Sequence, residues 1–197
     1  MNALIKCIPL LISLSFFSFS QPKFVLPCDS ALLIQSRFVL LEQVGVRERT
    51  NKNDGTEVEK YLRSVGLSKG NAYCVAGQYF CFLESTRKLK YPETKIPLPK
   101  TGLSLKLFTF AVKQGRKVCF SVEMDDLVIW LRKNSIHGHT ERIIQVYRKG
   151  WVETVGFNTK KYDATRKTFV EGVFRWKRNL NHPLKRFRLL GIVGFRN

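Results

Sequence analysis

The chain contains five cysteines and three histidines, the side chains from which nucleophilic chemistry could be built. Cys74 has the most specific setting. Residues 70–82 read G-N-A-Y-C-V-A-G-Q-Y-F-C-F: a glycine, small residues, an aromatic, then a thiol opening an apolar run of helical length. The first turn of a helix carries unpaired N–H groups worth roughly half a positive charge, which favours thiolate over thiol. The same residues also suit a cysteine buried as a small hydrophobe. A thiol nucleophile needs a base, and the base needs a group to orient it. His182 lies in the basic stretch N-L-N-H-P-L and reads as a turn residue, whereas His137 and His139 flank Gly138 just before a strand-like run. No C-x-x-C or H-E-x-x-H spacing occurs, so no metal or cofactor is expected.

Register selects between the histidines and supplies a third group. Thr140–Tyr147 and Trp151–Phe157 form a predicted hairpin around Arg148-Lys149-Gly150. A two- or four-residue loop places His139 on one face with Asn158, whereas a three-residue loop separates them, because a one-residue slip flips every side chain. In the even register the Asn158 carbonyl can accept the imidazole N–H and fix the tautomer that takes a thiol proton. Glu153 points to the other face, and Glu141 shares the face of His139. The predicted site is therefore Cys74, His139 and Asn158.

The elements that must hold these residues fall into two halves. Helices are predicted over Ser30–Glu42, Thr56–Val65 (with Thr56 and Glu59 as a capping box), Cys74 to about Ser85, and Leu103–Lys113, with a proline-rich loop over Lys90–Thr101. After Gly115 come short alternating runs: Lys117–Val122, Leu127–Leu131, Thr140–Tyr147, Trp151–Phe157, Gly172–Trp176 and Phe187–Phe195. Helices followed by strands imply an α+β fold, with N-terminal helices packed on a mainly antiparallel sheet.

Residues 1–20 read as a secretory signal: Lys6, an apolar run, then Ser18 and Ser20 before a cleavage point at Gln21. A retained anchor is the rival, but the run is shorter than the ~20 residues a spanning helix needs. The remainder suits a single domain, 21–197, exported to the periplasm or the exterior and monomeric. The formal net charge, +19 for the whole chain and one less without Lys6, is concentrated late: Lys160–Arg196 holds eleven Lys or Arg against Asp163 and Glu171. Such a surface implies a polyanionic partner. Phe174, Trp176 and Phe187 among these cations could stack bases, but period-two alternation explains them as one face of a sheet, and export argues against nucleic acid. After cleavage four cysteines remain. Cys74 and Cys81 lie about 10.5 Å apart along one helix, too far to bridge.

The order Cys, Gly-His at a strand head, then Asn in the next strand resembles the CHAP and NlpC-like cysteine amidohydrolases, papain-like enzymes of bacterial cell wall. V-G-V-R-E at 44–48, N-D-G at 53–55, V-E-K-Y-L-R-S-V-G-L at 58–67, D-L-V-I-W at 126–130, G-H at 138–139, V-G-F-N-T at 155–159, G-V-F-R at 172–175 and G-I-V-G-F at 191–195 carry the resemblance across residues 30–195. It implies a papain-like domain whose Cys74 attacks an amide carbonyl of peptidoglycan peptides, with His139 as proton carrier and Asn158 as ring holder. It implies peptidoglycan or another anionic envelope polymer as partner. The chain departs from the family pattern with Tyr73 where Trp is usual, Asp125 where Gly is usual, and Gly156 where members commonly carry a Glu beside the histidine. Lacking that Glu, His139 is expected to titrate lower than in Glu-bearing relatives, and Gly156→Glu to raise turnover. A second reading follows from the same departure: a binding module of this fold with a weakened site, held on an anionic envelope by its basic surface.

Overall fold

A computed structural model describes residues 21–119 and 121–197; the predicted signal segment lies outside them. The described chain is α+β. It runs β1 (Lys23–Pro27), α1 (Ser30–Glu42), α2 (Thr56–Ser64), α3 (Cys74–Leu89), a single 3-10 turn (Glu93–Lys95), α4 (Ser104–Gln114), then β2 (Arg116–Val118), β3 (Leu127–Arg132), β4 (Gly138–Val146), β5 (Trp151–Asp163), β6 (Thr168–Asn179) and β7 (Phe187–Arg196). The strands form one sheet in the order β2-β1-β7-β3-β4-β5-β6, antiparallel at every pairing except β1 with β7.

One strand is unexpected and three expectations on element bounds are corrected. Lys23–Pro27 is a strand that its five residues and terminal proline do not announce. The run at 117–122 shortens to Arg116–Val118, paired only with β1. α2 is capped by Gly55 at φ 115° rather than by Thr56, which is already helical; Glu59 still returns to the Gly55 N–H at 3.4 Å, so half of the capping box survives. β5 and β6 run well past the apolar runs that mark them, as a long two-stranded extension of polar residues.

Alternation along the strands divides the core. On one face, Leu127 and Ile129 of β3 and Val193 of β7 pack with Leu32 of α1, Val75 and Phe82 of α3 and Leu107 of α4. Val155 and Phe157 of β5 and Val173 of β6 continue that layer against Leu62 of α2 and Ala76 of α3. The other face buries Val128, Trp130, Ile143, Val152 and Ile192 beneath Leu180. Gly77 sets the spacing of α3 on the sheet: a Cβ there would lie 2.2 Å from Phe157 Cδ1, so the helix backbone rests directly on the ring. The fully buried Arg142 of β4 bonds Ser36 Oγ and the Leu33 carbonyl of α1 and Asp125 Oδ1, fixing the central strand to the helical layer.

Candidate active site

Cys74 is the first residue of α3, as its sequence setting predicts, and its side chain is buried. The N–H groups of a first helical turn have no partner within the helix. Two elements close on the sulfur. From β4, His139 and the Thr140 N–H lie beside the thiol, near enough to favour its thiolate. From the start of α4, Ser104 Oγ lies 3.7 Å from Sγ. Thr140 Oγ1 donates to Ser104 Oγ at 2.9 Å, which leaves the serine hydrogen free for the sulfur. Gly138 makes this approach possible. A Cβ there would meet the Trp130 carbonyl at 2.5 Å and Ser104 Cβ at 2.8 Å, so any side chain would push α4 from the head of β4.

His139 pairs directly across β3 with Trp130, and the two rings stack with centroids 6.1 Å apart at 24°. Its Nε2 lies 3.1 Å from Glu141 Oε1. With Nε2 committed to the carboxylate, Nδ1 is the nitrogen left for the thiol proton. Glu141 is fully buried and fully used: Oε1 also accepts from Arg178 at 2.5 Å, and Oε2 accepts from Arg178 Nε at 2.9 Å and from Thr154 Oγ1 at 2.5 Å. That fork from β6 is the bidentate geometry in which arginine holds a carboxylate best.

The electrostatics agree with a thiolate–imidazolium pair. Burial pushes the Cys74 thiol up, but the hydrogen bond with His139 and the charge of its ring outweigh burial and hold the thiol below its ordinary range. Burial disfavours a charged ring at His139, yet Cys74 and Glu141 together raise it to about 9. Burial likewise works against an ionised Glu141, but His139 and Arg178 bring it down to about 2. The expectation of a lowered His139 pKa is thus reversed, because the ring has a carboxylate after all. Cys28 and Cys81 are the contrast: burial pushes each thiol up to about 12.

The structure brings Cys74 and His139 together and leaves Asn158 apart. The loop has three residues, 148–150, rather than the even number expected: the Tyr147 N–H bonds the Trp151 carbonyl, and Gln145 faces Glu153, one residue out of the predicted register. A bulge between Ile143 and Gln145 offsets the slip, so Ile143 still faces Thr154 and Glu141 faces Gly156. Directly beyond, β5 bulges. Its pairing with β6 slips by one residue between Gly156 and Thr159, and Asn158 sits in the left-handed region at φ 57°. A bulge re-aims the side chain it carries, and asparagine tolerates that backbone better than most residues. The Asn158 amide therefore donates to Asn53 Oδ1 at 2.5 Å and reaches toward Glu48 Oε1 at 3.4 Å. The Tyr73 hydroxyl donates to the same Glu48 oxygen at 3.0 Å. Asn158 anchors the residue before the nucleophile, not the ring of the base.

Gly156 acquires a reason. It faces Glu141, and a Cβ there would come within 2.9 Å of Glu141 Cγ and 3.0 Å of Oε1. The carboxylate enters from β4, and the missing side chain on β5 makes room for it. Glu141 was legible as a neighbour of His139 on the strand. Arg178 was not, because the apolar run marking β6 ends at Trp176. Ser104 carries no sequence signal that ties it to residues so distant in the chain.

Among the described residues no group of three or more His, Cys, Asp or Glu is arranged to hold a metal ion. The four cysteines beyond residue 20 are free thiols, with Cys119 exposed. No family model, characterised protein or solved structure matches the chain.

Proposed function

We propose that the chain is an exported, papain-like cysteine hydrolase of amide bonds in peptidoglycan peptides, acting through Cys74, His139 and Glu141. The observation that carries the chemistry is the continuous chain from the first-turn thiol of α3 through the His139 ring to the Arg178-held Glu141. In this reading the Cys74 sulfur attacks the carbonyl carbon and forms the tetrahedral adduct. The His139 proton then passes to the departing amine, leaving an acyl-enzyme thioester. Water attacks the thioester with the neutral ring as base, the acid is released and the proton returns to the ring. The Cys74 backbone N–H at the head of α3 is one donor for the oxyanion. The choice of peptidoglycan rests on the motif resemblance to the CHAP and NlpC-like enzymes. The weakened-site reading loses its ground, since it stood on a missing carboxylate that Glu141 supplies.

The test is to incubate the protein with purified peptidoglycan and mass-analyse the soluble fragments. New amine ends should appear with the wild-type chain and vanish with Cys74→Ala, and their position names the bond. In parallel, iodoacetamide at about pH 6 should label Cys74 ahead of Cys28, Cys81 and Cys119, since ordinary thiols are protonated there. Fragments that persist in the alanine variant, or equal labelling of all four thiols, would refute the assignment.

A further inference from the structure

One cavity lies away from Cys74. It is a groove of about 790 Å3 at the end of the sheet, between the β3–β4 turn and the β6–β7 loop. Those two segments meet there because β3 and β7 pair antiparallel, with Arg132 opposite Phe187 and Leu131 opposite Arg188. Arg132 and Lys133 line one wall, Arg188 and His182 the other, and Asn134 and Asn181 add amides. No Asp or Glu lines it.

The cations are unspent. Of the other arginines, Arg37, Arg47, Arg49, Arg87, Arg142 and Arg178 pair with carboxylates, whereas Arg116, Arg148 and Arg186 find none among the described residues. Among the described residues Arg132, Lys133 and Arg188 pair with none, and all three are exposed. Three like charges around one concavity repel each other, and an anion entering it relieves that repulsion while two guanidinium forks offer paired donors to an oxyanion. No Phe, Tyr or Trp lines the groove, so nucleic-acid bases would find no platform. The ligand is held by its charged groups alone.

Position ties the groove to the proposed site. Trp130 pairs with His139 and Leu131 with Gly138, so Arg132 stands two rungs from the base, roughly 7 Å along the strand. We propose that this groove grips an anionic envelope polymer through its phosphate or carboxylate groups, presenting the attached wall to the Cys74–His139 end of β4. The inference builds on the hydrolase reading for its ligand, and it moves the docking surface away from the Lys160–Lys167 end of the basic segment, where the β5–β6 hairpin reaches its tip.

The experiment measures binding of the full chain to three probes of matched charge: a short polyphosphate, a short polyglutamate and a single-stranded oligonucleotide. Arg132→Ala/Arg188→Ala is compared with Lys161→Ala/Lys167→Ala, which removes the same charge at the hairpin tip. The groove pair should weaken polyphosphate or polyglutamate binding roughly 10-fold or more, as expected for lost charge-assisted bonds, and the tip pair less than about 2-fold. Whichever probe binds tighter names the charged group. Equal loss from both pairs would show diffuse attraction and overturn the groove, as would an oligonucleotide that outcompetes both other probes. Peptidoglycan cleavage by the wild-type chain is followed alongside. Binding without cleavage would refute the hydrolase and leave the groove; cleavage with no groove-dependent binding would do the reverse.

Discussion

Two buried carboxylates flank the nucleophile, and their surroundings drive them in opposite directions. Glu141, behind His139, faces an arginine fork, an imidazole and one hydroxyl, and is held down to about 2. Glu48, behind Tyr73, receives only neutral donors: the Asn53 N–H at 2.7 Å, the Tyr73 hydroxyl and the Asn158 amide. Burial therefore dominates at Glu48 and pushes its carboxyl above the ordinary range. The more deeply buried of the two is the one that stays charged, so burial alone does not set the chemistry. A carboxylate that must stay charged, to favour an imidazolium, is placed opposite cations. One that fixes a loop to the base of a helix is served by neutral groups and needs no charge.

The largest effect is expected from neutralising Glu141, set beside truncation of Asn158. Glu141→Gln should lower turnover roughly 100-fold or more, within the range of positioned acid–base groups. It should also bring the His139 pKa down from about 9, so the alkaline limb of the pH–rate profile moves to lower pH. Asn158→Ala, which the register argument would make damaging, should leave that limb where it is, because its amide serves Asn53 and Glu48. Activity against pH, with the imidazole followed by NMR, decides. A displaced limb in Asn158→Ala with none in Glu141→Gln would reverse the assignment.

How much of this was legible follows from what a linear pattern encodes. Cys74 and His139 could be read because small residues before an apolar run mark a helix start, and Gly-His before an alternating run marks a strand head. The expected pairing of Glu141 with Gly156 is present, but it comes from a three-residue loop offset by a bulge rather than from an even loop. Hairpin register could not choose between Glu141 and Asn158, since both share the His139 face in a regular ladder. A one-residue bulge decides between them, and a bulge is a tertiary compromise: Asn158 gains Asn53 and Glu48 only because the 46–55 loop crosses β6 at Gly172. There a Cβ would lie 2.2 Å from the Val46 carbonyl. Arg178 was hidden for another reason: polar residues extend β6 beyond the alternation that reveals strands. β1 is too short to show any period.

A smaller effect is expected from removing the cation that separates the two carboxylates. Arg178→Gln would leave Glu141 fully buried with His139 as its only charged partner, bringing it closer to the situation of Glu48. Breaking one side of such a pair costs about 3 kcal/mol or more when both partners are buried; with the Arg178 side chain 18% exposed, the lower end applies. Turnover should fall roughly 10-fold. The His139 pKa should rise, because a neighbouring positive charge has gone. Denaturant unfolding and NMR titration of the same variant test both signs, and a ring that titrates lower would mean that Arg178 acts by positioning Glu141 rather than through its charge.

The smallest effect belongs to Glu48 and concerns stability alone. Its folded pKa is raised above the ordinary value of 4.5, with burial as the leading cause, so the native state holds the proton more tightly than the unfolded chain does. Its contribution to stability is complete below about pH 4.5 and is lost as pH rises through the raised folded value. Glu141 runs the other way: it contributes fully above the ordinary value and loses that contribution as pH falls toward about 2. Denaturation midpoints of Glu48→Gln and Glu141→Gln, each subtracted from wild type at several pH values between about 3 and 8, should therefore slope in opposite directions. Relative to wild type, Glu48→Gln should gain as pH rises, whereas Glu141→Gln should lose until its deficit levels off about one unit above the ordinary value of 4.5. Parallel slopes would mean that the two sites share one electrostatic environment, and that the neutral donors around Glu48 stabilise its charge as well as Arg178 stabilises that of Glu141.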